Sequence, residues 1–136
     1  VYAIAGDGEM DEGQMWEAIM MAAHNKLNNL IFIIDYNKLS STHPTNEIIN
    51  LEPLVEKMKA FNLHTIEIDG NNMEEIVRAL DEAKQVADKP IAIVANTVKG
   101  KGVSFMENVG KWHSSGLTDE EYKIAMEDLN RIEEAL

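Results

Sequence analysis

Two groups of residues near the start of the chain carry atoms suited to holding a charged ligand. Gly6-Asp7-Gly8 ends one apolar run, and Asn37 follows a second apolar run at Leu30–Ile34. Glycines let backbone N–H groups approach a phosphate closely. Asp and Asn supply hard oxygen donors of the kind Mg²⁺ accepts, alongside phosphate and water oxygens. These residue types are therefore those of a metal–diphosphate site.

The elements around these residues predict that they meet in space. Val1–Gly6 and Leu30–Ile34 have the composition of buried strands, and a helical pattern covers Glu12–Lys26 between them. This is one strand–helix–strand unit of parallel type. Parallel neighbours end at the same edge of a sheet, where ligands bind in open α/β folds. Asp7 and Asn37 should therefore lie side by side, with the positive end of the helix pointing towards them.

A plainer interpretation fits the same spacing. Gly6-Asp7-Gly8 can be a tight turn that starts a helix, and Asn37 can occupy an ordinary turn after its strand. Spacing alone leaves both interpretations open.

The longer strings are more specific. GDGEMDEGQMWEA together with LIFIIDYNKL resembles the thiamine diphosphate fingerprint of the transketolase family, particularly its split N-terminal subunits. The resemblance implies thiamine diphosphate as cofactor. It also implies that Asp7 and Asn37 ligate Mg²⁺ (or Ca²⁺) and that Leu39 adds a backbone carbonyl.

The same resemblance implies roles for four further residues. The main chain around Gly6 and Gly8, with Glu9, would contact the diphosphate. Glu12 matches the family acid that lies near the subunit interface and couples paired active sites. An acid in the first turn of a helix, favoured by the macrodipole, explains Glu12 equally well.

A second motif lies towards the end of the chain. TVKGKGVSFMEN and the following WHS also resemble the transketolase N-terminal subunit, and His113 falls on its active-site histidine. That histidine lies over the reactive carbon of the cofactor and assists proton transfer at substrate oxygens, as an imidazole can near neutral pH. The alternative is a loop histidine packed beside Trp112. Lys99 and Lys101 are either a phosphate-binding pair or simply solvated.

The remaining pattern predicts an α/β fold with a doubly wound, mostly parallel sheet. The length of the chain predicts one domain over residues 1–136, and the resemblance implies that it is of the thiamine diphosphate-binding type. Because the first residue already belongs to a strand, we expect the upstream part of that domain to be missing. The further elements expected are a helix capped by Asn50, a strand at Leu63–Ile68, a helix at Met73–Ala87, a strand at Ile91–Ala95 and a last helix starting with a capping box at Thr118.

Composition limits the possible functions. The chain has 136 residues, a formal net charge of −12 and no cysteine. Such an acidic protein repels nucleic acids and anionic membranes, and it has no disulfide framework or thiolate nucleophile. No apolar run approaches the length of a membrane span, and no signal-peptide pattern is visible. We expect a cytoplasmic protein.

The resemblance implies transfer of a two-carbon ketol unit between sugar phosphates. The glutamate that activates the cofactor would come from a pyrimidine-binding domain or C-terminal subunit, in a homodimer or heterotetramer. Alternatives are another thiamine diphosphate enzyme (deoxyxylulose phosphate synthase or an E1 dehydrogenase), a receiver-like Mg²⁺-binding module, or a partial domain without catalysis.

Overall fold

A computed structural model describes residues 1–135 of the chain as alternating strands and helices. In chain order the elements are β1 (Tyr2–Gly6), α1 (Gly13–His24), β2 (Ile31–Tyr36), β3 (Leu39–Ser40), β4 (His43–Pro44), α2 (Thr45–Ile48), α3 (Leu54–Ala60), β5 (His64–Asp69), α4 (Met73–Ala83), β6 (Ile91–Asn96) and α5 (Asp119–Glu133). Two 3₁₀ turns, Asp7–Asp11 and Gly110–His113, lie beside the candidate site.

The central feature is a four-stranded sheet in the order β1-β2-β6-β5, and every pairing in it is parallel. The two inner strands, IFIIDY and IAIVAN, are apolar along nearly their whole length. Such continuous apolar runs are typical of parallel strands covered on both faces. A separate two-stranded antiparallel pair, β3 with β4, follows directly after β2.

Helices cover both faces of the sheet, which confirms the predicted doubly wound arrangement. On one face, Phe32 and Ile34 of β2 pack with residues of α1 and α3 such as Ile19 and Met58. On the other face, the alternate residues of β2 and β6 pack with α4. Burying apolar side chains on both faces provides most of the stabilising free energy of this fold.

One part of the second face is open. Tyr2 and Ile4 of β1 pair with Ile31 and Ile33 of β2 and so share their face. α4 packs over β5 and β6, and Ile4 remains 72% exposed.

Several element boundaries differ from those predicted. The first helix begins at Gly13, because a 3₁₀ turn occupies Asp7–Asp11. The predicted cap at Asn50 is wrong: Pro53 is the N-cap residue of α3, and Asn50 instead accepts a hydrogen bond from the Glu52 N–H at 3.0 Å. α4 ends at Ala83, four residues earlier than expected.

The predicted capping box at the start of α5 is confirmed. Thr118 accepts a hydrogen bond from the Glu121 N–H at 3.2 Å, while Glu121 accepts from the Thr118 N–H at 2.8 Å. None of the helices within residues 1–135 is both long enough and apolar enough to cross a membrane.

Candidate functional site

The carboxyl ends of β1 and β2 form one wall of a polar cavity of about 370 Å³. Asp7 follows β1 and Asn37 follows β2, and both side chains line this cavity. They are buried, at 1% and 8% exposure. The prediction that these two distant residues converge is therefore confirmed, because parallel pairing of neighbouring strands brings both ends to one edge.

The buried position of Asp7 disfavours its charged form, and backbone hydrogen bonds partly compensate. The Gly8 N–H donates to its Oδ1 at 2.9 Å, and the Lys38 N–H donates to its Oδ2. Burial nevertheless raises the pKa of Asp7 to about 6, and the negative charge of Asp35 adds to this effect. The two N–H donors and the positive charge of Lys99 oppose it. A cation at this carboxylate would relieve the cost of keeping it charged.

Asn37 has its amide fixed on both sides. Its Oδ1 accepts from the Leu39 N–H at 3.0 Å, and its Nδ2 donates to Asp35 Oδ2 at 3.1 Å. The intervening Lys38 has a φ of 65°, and this left-handed residue turns the chain from β2 into β3.

The donor set fits a divalent cation that is shared with a phosphate ligand. Asp7 offers a carboxylate, Asn37 an amide oxygen, and Leu39, which also lines the cavity, a backbone carbonyl. Within the described part of the chain, no group of three or more His, Asp or Glu side chains could hold a metal alone. A cation here would complete its coordination with phosphate and water oxygens, as Mg²⁺ commonly does.

Gly8, just after β1, serves close packing. A Cβ atom at Gly8 would lie 2.7 Å from Ser40 Oγ, so only glycine fits where this turn meets β3. The N–H groups of Gly6 and Gly8 donate to Glu9 Oε2 at 2.7 Å and to Asp7 Oδ1 within the chain. Their contact with a diphosphate, and that of Glu9, stays a prediction.

Glu12 also borders the cavity, in an exposed position just before α1. Its side chain makes no capping hydrogen bond to the helix; its Oε2 accepts instead from Gln14 Nε2 at 2.9 Å. The capping geometry of a helix-start acid is therefore absent at Glu12, and its role at an interface stays a prediction.

The segment after β6 brings Lys99 and His113 to the same cavity. His113 ends the 3₁₀ turn, which begins at Gly110. A Cβ atom at Gly110 would lie 2.6 Å from the backbone of Thr42, so the turn packs directly on the β3–β4 connection. Trp112 donates to the Phe105 carbonyl at 3.0 Å and anchors the turn from its other side. Contacts on both sides therefore place the exposed His113 over the strand ends.

The structure separates the two lysines of the KGKG string. Lys99 Nζ lies 3.4 Å from His113 Nδ1 inside the cavity. Lys101 Nζ pairs instead with Glu107 at 3.3 Å, outside the cavity lining. Since an ammonium group only donates, its approach to Nδ1 favours the imidazole tautomer with its hydrogen on Nε2.

Two polar residues at this edge were not assigned to the cofactor site from the sequence. Asp35 lines the cavity two positions before Asn37, and Thr97, one position beyond β6, donates a hydrogen bond to Asp35 Oδ1. Asp35 could have been found by the argument that located Asn37, since both lie at the end of β2. Thr97 required knowledge that β6 pairs with β2.

The structure defines a doubly wound α/β domain with a cavity lined by oxygen-bearing side chains at its strand ends, and comparison with known proteins specifies its family. The family profile "Transketolase, thiamine diphosphate binding domain" matches residues 1–131. The chain therefore belongs to the transketolase family, within its thiamine diphosphate-binding domain, and the receiver-like alternative loses its support.

Individual relatives agree with this assignment. The 6-deoxy-6-sulfo-D-fructose transketolase subunit SqwG of Clostridium sp. (strain MSTE9) is 47% identical over 131 residues, which cover 96% of this chain and 48% of that protein. An apulose-4-phosphate transketolase subunit of Phocaeicola vulgatus is 39% identical over 97% of this chain and 47% of its own length. The crystal structure of transketolase from Campylobacter jejuni superposes with a TM-score of 0.88 at 34% identity, over 95% of this chain and 20% of that one. The chain thus spans about half the length of the two subunits.

Proposed function

We propose that this chain supplies the diphosphate- and metal-binding half of a transketolase-type active site, which transfers a two-carbon ketol unit between sugar phosphates. The observation that carries the proposal is the convergence of Asp7 and Asn37 at one sheet edge, beneath Lys99 and His113. Membership of the transketolase family supports it independently.

In this proposal Asp7, Asn37 and the Leu39 carbonyl hold Mg²⁺ (or Ca²⁺), and the turn at Gly6 and Gly8 lies beside the diphosphate. The fit rests on the oxygen donors described above, which line one cavity together with the turn at Gly6 and Gly8. Thiamine diphosphate, when bound, supplies the nucleophilic carbon and electron sink needed to break and form carbon–carbon bonds.

The protein's own groups bind, orient and move protons. In this proposal His113, with its hydrogen on Nε2, would donate to a substrate oxygen and accept the proton back in the reverse transfer. Lys99 holds the other ring nitrogen and adds a positive charge to a cavity that contains Asp7 and Asp35. That charge favours an anionic ligand.

The proposal includes a partner. The two curated relatives are named as subunits, and this chain matches about half of each. A pyrimidine-binding domain or C-terminal subunit would contribute the glutamate that activates the cofactor, in a homodimer or heterotetramer. In this proposal Glu12, which is exposed at the rim of the cavity, would face that partner.

The substrates proposed are ketoses that carry an anionic group. The names of the two relatives point to 6-deoxy-6-sulfo-D-fructose and apulose 4-phosphate, which carry a sulfonate and a phosphate. A substrate panel should therefore contain both sugars beside ordinary sugar phosphates.

Titration calorimetry of thiamine diphosphate with Mg²⁺ into the native assembly tests the site. We expect Asp7→Ala to lower cofactor affinity by at least about 100-fold, because it removes the only carboxylate assigned to the cation. Asp69→Ala is the matched control, since Asp69 ends β5 at the same sheet edge but does not line the cavity. Unchanged binding by Asp7→Ala would refute the metal assignment. In the substrate panel, turnover of pyruvate instead of ketoses would indicate another type of thiamine diphosphate enzyme and contradict transketolase chemistry.

A further inference from the structure

Asp35 makes two hydrogen bonds that the proposed chemistry does not use. Its Oδ1 accepts from the Thr97 hydroxyl and its Oδ2 from Asn37 Nδ2 at 3.1 Å. Asn37 reaches it from two residues further along the same chain segment. Thr97 reaches it because β2 pairs with β6 in a register that sets Asp35 opposite Ala95, two residues before Thr97. The carboxylate therefore joins the end of β6 to the amide of Asn37.

An asparagine amide has two ends of similar shape and opposite hydrogen-bonding character. Its nitrogen only donates and its oxygen only accepts, so the neighbouring groups decide which end faces the site. An ionised carboxylate accepts only, and Asp35 therefore attracts the Nδ2 end of Asn37. Asn37 is 8% exposed, so water has little access to compensate for a reversed amide.

The oxygen end of the Asn37 amide also fits the orientation in which Nδ2 faces Asp35. Asn37 Oδ1 accepts from the Leu39 N–H at 3.0 Å and keeps a second lone pair. A reversed amide would set its NH₂ group against that N–H and leave a donor where a cation ligand is needed. The amide therefore has one orientation that satisfies all its neighbours.

We infer that Asp35, itself held by Thr97, is a positioning residue that turns the oxygen of Asn37 towards a divalent cation at Asp7. The inference rests on the proposed function for the nature of that cation. Asp35 also places a second negative charge near Asp7, and this charge attracts a cation in addition to orienting Asn37. Outer-shell partners of metal ligands commonly affect metal affinity by about 10- to 100-fold.

The test measures the affinity of the assembled protein for Mg²⁺ by calorimetry at saturating thiamine diphosphate, without any turnover assay. Asp35→Ala should weaken Mg²⁺ binding by about 10- to 100-fold. Asp35→Asn should recover most of this loss, because its side-chain oxygen can still accept from Asn37 Nδ2. Equal losses in the two variants would show that the charge alone matters and would overturn the orienting role.

A second pair of variants separates orientation from folding. Thr97→Val removes the hydroxyl donor with little change in shape, and Thr97→Ser keeps it. We expect weaker Mg²⁺ binding in Thr97→Val and recovery in Thr97→Ser, with unchanged melting temperatures before the cation is added. Wild-type affinity for Mg²⁺ in both Asp35→Ala and Thr97→Val would overturn the inference. If Asp35→Ala does not fold, wild-type affinity for Mg²⁺ in Thr97→Val alone would overturn it.

The outcome also distinguishes this inference from the proposed function. If Asp7→Ala abolishes Mg²⁺ binding and the Asp35 and Thr97 variants do not change it, only the positioning role fails. If Asp7→Ala binds Mg²⁺ normally, the metal site itself is wrong. Asp69→Ala again serves as the control for loss of a strand-end carboxylate.

Discussion

The charged carboxylate of Asp7 lowers the stability of the protein alone and, in the proposed site, favours binding of a cation. This carboxylate is almost completely buried, and two backbone donors only partly replace the water it has lost. The pKa near 6 expresses this balance. A residue with such a cost is expected where charge is needed for binding.

The pKa of Asp7 predicts an unusual pH dependence of stability in the absence of metal and cofactor. The folded protein binds the Asp7 proton more tightly than the unfolded chain, whose pKa is near 3.8. The cost of burying the charged carboxylate therefore lowers the free energy of unfolding fully above about pH 6, and this loss of stability disappears as the pH falls towards 4. Relative to Asp7→Asn, the wild type should gain about 2 kcal/mol in free energy of unfolding between about pH 7.5 and pH 4.5.

Chemical denaturation of both proteins across this range measures the gain. With Mg²⁺ and thiamine diphosphate present, the dependence should reverse, because protons compete with the cation and ligand-induced stabilisation should fall below about pH 6. A constant difference between wild type and variant across the range would contradict the raised pKa.

At the scale of elements, the segment between β6 and α5 presents Lys99 and His113 although it contains only one short 3₁₀ turn. Specific contacts replace regular secondary structure in this segment. The Asn108 N–H donates to the Lys99 carbonyl at 2.9 Å, and the Gly102 N–H donates to Glu107 at 3.1 Å. The segment is therefore fixed by hydrogen bonds within itself, by bonds near its start from Thr97 to Asp35 and from the Val98 N–H to Asn71, and by a contact with α5.

The contact with α5 yields a prediction. Asp128, a buried residue of α5, accepts from the Ser104 N–H at 2.8 Å. The side chain of Ser104, followed by this N–H, lowers the pKa of the Asp128 carboxyl. Asp128→Ala should leave that N–H unpaired and increase the opening of the segment 97–113. Hydrogen exchange followed by mass spectrometry should show faster exchange there and unchanged exchange in β2 and β6.

Glu127→Ala is the matched control, because Glu127 is the adjacent residue of α5 and is exposed. We expect wild-type exchange in this variant. Uniformly faster exchange over the whole chain in Asp128→Ala would indicate general destabilisation and contradict a local role for α5.

At the scale of the whole molecule, the candidate site is open on the side of His113 and Glu12, which are both exposed. The apolar side chains of Tyr2 and Ile4 are also exposed on the sheet. A net charge of −12 disfavours acidic partners and favours a neutral or basic surface. These features agree with a domain that works in a larger assembly.

The composite site predicts that activity requires two components. If the pyrimidine-binding component is a separate subunit, the polypeptide that contains this chain should show no ketol transfer by itself, and adding that subunit should produce activity that saturates at a fixed ratio. Partner mixed with the Asp7→Ala chain should stay inactive. Turnover by residues 1–136 alone would contradict the shared site.

The order of amino acids was sufficient to predict the α/β class, the four strands of the main sheet with α1, α3, α4 and α5, and the meeting of Asp7 with Asn37. These features depend on local apolar patterns and on one strand–helix–strand unit, whose parallel strands must end together. The sequence did not predict the short elements β3, β4 and α2. The first and last residues of the helices were predicted less well from the sequence. The 3₁₀ turn after β1 and the early end of α4 reflect packing and turn geometry that local propensity does not encode.

The strand order, in contrast, is a property of the folded molecule. β6 lies between β2 and β5 in the sheet. This long-range pairing brings Thr97 within hydrogen-bonding distance of Asp35, and the segment after β6 places Lys99 and His113 at the cavity. Residues that are 62 positions apart in sequence, such as Asp35 and Thr97, meet through the pairing of distant strands. No local pattern specifies that pairing, because it follows from the burial of both sheet faces by the whole chain.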